Sequence, residues 1–109
     1  MKRASWLLAW ALFAPSTAGA VSFSGASLPE KVRPAGEDGR YRSLESYDRT
    51  LRWFRRVYGR SEGLFFQPIR GAAGVDGVHI HNLRAGRRWD TINVYEAKKV
   101  VHILVLPHR

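Results

Sequence analysis

The chain has no cysteine among its 109 residues. That excludes disulfide staples, thiol nucleophiles, thiolate metal ligands and acylation at a cysteine. Acidic residues are scarce, 9 against 18 lysines and arginines, so the formal net charge is +9. No apolar run approaches the ~20 residues that a helix needs to cross a bilayer; the longest, Ala4 to Ala14 and Val100 to Leu106, are too short, and no transmembrane segment is expected in the mature chain. No Gly-x-Ser-x-Gly elbow is present. Gly71, Gly74 and Gly77 have the wrong spacing for a dinucleotide fingerprint and lead into a strand pattern, which makes them turn residues. Asp90 and Glu96 would lie roughly 20 Å apart along an extended strand, too far to act on one substrate atom.

What is present begins with an export signal. Lys2 and Arg3 precede an apolar stretch, Pro15 breaks it, and Ala18 and Ala20 form an Ala-x-Ala site, so cleavage is expected between Ala20 and Val21. Residues 1–20 are therefore read as a signal peptide, and the protein as periplasmic or extracellular. Its removal leaves 16 basic and 9 acidic residues, a net charge of +7, with 13 of the 16 being arginine. A surface so charged concentrates anions near it and accelerates their encounter.

Residues 21–42 are rich in serine, glycine and proline and hold no sustained period; they are expected to form an extended or partly disordered arm, with a short edge strand at Val21 and Phe23. Residues 43–109 are expected to form one small domain. Leu44, Tyr47, Leu51, Phe54 and Tyr58 recur at helical spacing, Ser43 fits an N-cap and Gly59 a stop, predicting an amphipathic helix over 44–58. Beyond Gly63 the period becomes two. Strands are expected at Leu64 to Arg70, with Pro68 marking an edge, at Val78 to His81, at Trp89 to Glu96 and at Val100 to Leu106. Their short connections require antiparallel pairing. The last run is apolar at almost every position and reads as a central strand covered on both faces. The expected architecture is α+β: one helix packed on a three- to four-stranded antiparallel sheet, helix first and meander after.

Two groups of side chains could carry chemistry. Arg49, Arg52, Arg56 and Arg60 form a basic line along the helix, with Trp53 beside it. Guanidinium groups bind phosphate, sulfate or carboxylate oxygens bidentately, and an indole stacks on a ring. The competing reading is a solvated face, because Glu45 and Asp48 stand four residues before Arg49 and Arg52 in the favourable acid-first order. The second group is His79 and His81, two apart on a strand and so on one face. His102 would join them if its strand were adjacent, and Asp90, Glu96 or His108 could complete a zinc, copper or nickel site.

The expectation drawn from these features is an exported, non-catalytic binding or interaction module with a basic face. Its partner would be an anionic envelope component, glycan or lipid headgroup, or a protein; nucleic acid is not expected outside the cytoplasm, and no cofactor is implied. The alternative is a small metal-binding protein or metal-dependent hydrolase built on His79, His81 and His102.

Overall fold

The computed structural model describes residues 21–70 and 76–109. The expected signal peptide, and Gly71 and Gly74, lie outside the described residues. Eight strands and one helix follow in the order β1 (Val21–Phe23), β2 (Ala26–Leu28), β3 (Val32–Pro34), β4 (Arg40–Ser43), α1 (Tyr47–Tyr58), β5 (Leu64–Arg70), β6 (Asp76–Asn82), β7 (Trp89–Ala97) and β8 (Val100–Pro107). The class is α+β with antiparallel sheets, as expected, but the sheet is larger. Six strands pair in the order β3-β4-β8-β7-β6-β5, and β1 and β2 form a separate two-stranded sheet. The extra strands come from residues 21–43. Pairing β4 to β8, with Tyr41 opposite Ile103, covers an edge that would otherwise leave the apolar β8 exposed to strand addition.

Alternation along the strands sorts side chains onto two faces. Val78, Ile80, Ile92, Val94, Val101, Ile103 and Val105 are buried on one face, and Phe54 and Tyr58 of α1 join the same core. A register shift between Trp89 and Thr91 lets both Trp89 and Ile92 be buried despite their odd separation. Trp89 meets Tyr58 edge to face at 5.7 Å. The β1–β2 hairpin adds Ala26 and Leu28 to the core. Its Ser27 N–H donates to the Tyr58 hydroxyl at 2.7 Å, and that hydroxyl donates to the Ser27 carbonyl at 2.8 Å.

The helix starts later than the spacing predicts. Ser46, not Ser43, is the N-cap, its hydroxyl accepting the Arg49 N–H. Ser43 is instead the last residue of β4, held in register against Val101. Leu44 consequently falls in the link and is 51% exposed. The inner stripe runs through Thr50, Phe54 and Tyr58, with Tyr47, Leu51 and Trp53 packed partly against the core. Asp48 in the first turn and Arg55 and Arg56 in the last complement the helix dipole.

The opposite face of the sheet has no described element over it. His102 and Leu104 of β8 are half-buried there and Leu106 is exposed, so β8 is central in the sheet but layered on one side only. Phe65 and Phe66 divide as adjacent strand residues must: Phe66 packs on the core and Phe65 is 55% exposed.

Candidate anion-binding site

The helix geometry that turns Phe54 and Tyr58 inward turns the arginines outward. Arg49, Arg52, Arg55 and Arg56 are exposed on α1, and Arg60 follows just beyond the Gly59 cap. Arg52, Arg55, Arg56 and Arg60 line an open depression of about 540 Å³ whose lining contains no acidic residue. A second groove of about 390 Å³ runs between the helix and the β2–β3 link, with Pro29 and Lys31 on one side and Arg52, Trp53 and Arg56 on the other. The two hollows share Arg52 and Arg56, forming one basic tract.

Two carboxylates enter that second groove, Glu30 and Glu45. Glu45 takes Lys31 at 3.2 Å and Arg49 at 3.7 Å, as expected for its spacing to Arg49. The other expected pair is not formed: among the described residues no carboxylate lies within 4.0 Å of Arg52, Arg55, Arg56 or Arg60. The reason is energetic. An exposed pair at this spacing gains only ~0.2–0.5 kcal/mol, comparable to the cost of fixing two long side chains. Arg55 lies over the Phe66 ring, 5.7 Å from its centroid, which orients it without neutralising it.

Trp53 is half-buried. Its ring meets Phe54 edge to face at 5.1 Å and Tyr58 at 6.5 Å, so its plane is held by the core while it lines the groove.

The histidines are arranged differently. His79 and His81 share the uncovered face with ring centroids 5.7 Å apart. Burial lowers the pKa of His79, and His81 adds to the effect. His81 is held by Gln67 at 2.8 Å and stacks on Phe65. β7 lies between β6 and β8, so His102 is not their neighbour; it stacks on Tyr95 at 4.9 Å. Among the described residues no three His, Cys, Asp or Glu side chains stand together as a metal-binding group. The three histidines therefore do not converge, because the adjacency that would unite them is not the one the sheet adopts.

Nor do the further ligands gather around them. Asp90 accepts from Arg87 Nε at 2.9 Å and pairs with His108 Nδ1 at 2.7 Å. Its pKa is lowered, first by the Arg87 hydrogen bond and then by His108. Glu96 is at the far end of β7, opposite Asp76 and Val101.

Arg49, Arg52, Arg56, Arg60 and Trp53, the residues expected along the helix, line the two hollows, and Arg55, at three-residue spacing from Arg52, lines one of them as well. Pro29 and Lys31 left no local signal, since only tertiary packing brings the β2–β3 link against the helix. No described helix is long and apolar enough to cross a membrane. Comparison of the chain with protein-family models, with curated proteins and with solved structures gives no match.

Proposed function

We propose that the protein is an exported, non-catalytic binding module that captures an anionic component of the cell envelope on the tract formed by Arg52, Arg55, Arg56 and Arg60. The supporting observation is the missing compensation: four guanidinium groups share one depression and none has a carboxylate partner among the described residues. Clustered like charges disfavour one another, and an anion accepting several bidentate hydrogen bonds removes that cost. The histidine alternative lacks comparable support, because His79 and His81 on β6 are separated by β7 from His102 on β8 and no third ligand joins them among the described residues.

Binding to a sulfated polysaccharide column, with salt elution, tests this reading. The wild-type protein is retained at physiological salt, and Arg52→Glu with Arg56→Glu elutes near the void. Equal retention of the charge-reversed and wild-type proteins overturns it. Export is tested separately by intact mass, which should correspond to a chain starting at Val21.

A further inference from the structure

Resting on that reading, we infer that the anion is an acidic polysaccharide chain, with one sugar ring seated on Trp53 and its acidic groups on the flanking arginines. The two hollows are continuous through Arg52 and Arg56. From Arg49 to Arg56 the tract extends over roughly 10 Å of helical rise and continues to Arg60 beyond the cap, which suits an extended polymer with repeating charge better than one isolated headgroup. Arg52 and Arg56 are separated by ~6 Å along the axis, so successive acidic groups can be held by successive guanidinium groups.

A half-buried aromatic ring lines the same tract. Trp53 lines the groove together with Pro29, Lys31, Arg49, Arg52 and Arg56; of the two carboxylates that also line it, Glu45 is paired with Lys31 and Arg49. The C–H groups on one face of a pyranose carry slight positive charge and match the negative face of an indole. A ring stacked on Trp53 would carry its carboxylate or sulfate toward Arg52 and Arg56, which no described carboxylate pairs. A lipid headgroup has no comparable use for the indole. A bilayer surface cannot follow a half-buried ring into a groove, and a tryptophan that anchors to membranes must protrude. Simple polyphosphate would satisfy the arginines and leave Trp53 untouched.

The indole N–H resonances of the mature protein discriminate these cases, because Trp89 is only 5% exposed and serves as an internal control. Titration with hexagalacturonate should shift the Trp53 resonance and leave that of Trp89 unmoved. Polyphosphate of similar charge, and phosphatidylglycerol vesicles, should bind through Arg52 and Arg56 without that shift. Trp53→Phe should weaken hexagalacturonate about tenfold, the range of a lost stacking contact, with little effect on polyphosphate; thermal melting verifies that the variant is folded. An unmoved Trp53 resonance in the hexagalacturonate complex overturns the inference, as does an equal Trp53 response to vesicles or to a single-stranded oligonucleotide. If polyphosphate and vesicles bind through Arg52 and Arg56 but hexagalacturonate binds no better, the anion-binding reading survives and the polysaccharide inference fails. If none of these polyanions binds, both fail.

Discussion

The hydroxyls of Ser43 and Thr50 lie 2.7 Å apart in the interior, joining the end of β4 to the first turns of the helix. The proton positions follow from the neighbours. Thr50 Oγ1 donates its hydrogen to the Ser46 carbonyl at 2.8 Å, so Ser43 must donate to Thr50. Ser43 Oγ in turn accepts the Glu45 N–H at 3.1 Å. Every member of this relay is satisfied by another.

Breaking one link strands a buried partner. Thr50→Val keeps the shape but removes the acceptor for Ser43, and should cost about 1–3 kcal/mol. Ser43→Ala combined with Thr50→Val should cost less than the sum of the two single changes, because no hydroxyl is then left unpaired. Urea unfolding of the four proteins checks both statements; strict additivity would mean that the hydroxyls are independent.

Tyr58 should make the protein sensitive to alkali. Burial raises its pKa above the ordinary tyrosine value, outweighing the hydrogen bonds to Ser27 that lower it. The folded state therefore keeps this proton to higher pH than the unfolded chain does. Its contribution is fully present below pH ~10 and is lost as pH rises through the folded value. Tyr47 is raised in the same direction, by burial and then by Asp76. Tyr58→Phe should cost about 1 kcal/mol at neutral pH and make the decline in urea midpoint above pH 10 shallower. An unchanged slope would show that Tyr58 does not titrate differently on folding.

Gly39 and Gly86 both have positive φ, +85° and +71°. A Cβ at Gly39 would stand 2.7 Å from the Val105 carbonyl oxygen and 3.1 Å from the Phe23 ring, whereas one at Gly86 meets nothing. Gly86→Ala should cost only the left-handed conformation, about 1–2 kcal/mol. Gly39→Ala should cost distinctly more, because Val105 N–H also donates to the Gly39 carbonyl and ties that backbone in place. Thermal melts of the two variants rank them, and equal melting temperatures would contradict the packing described here.

The inner helical face was legible because Phe54 and Tyr58 are large and repeat at the helical period. Its start was not. Ser43 and Ser46 are both capable caps, and only the pairing of Ser43 with Val101 decides between them. β3 and β4 were illegible for a similar reason: strands of three and four residues around Pro34 and Gly39 carry too little pattern, and the edge of β8 supplies the missing half of the information. The arginine line could be read because it lies on one helix. The separation of His102 from His79 could not, since strand order is a global property.

The position of β8 also constrains the order of assembly. It lies between β4 and β7, in register with Tyr41 on one side and Val94 on the other. Until Val100–Pro107 is available, β4 has no partner leading to the meander and the core has no floor beneath Tyr41. Such distant pairing slows folding, and the two halves of the sheet stay unjoined until Val100–Pro107 is seated between them.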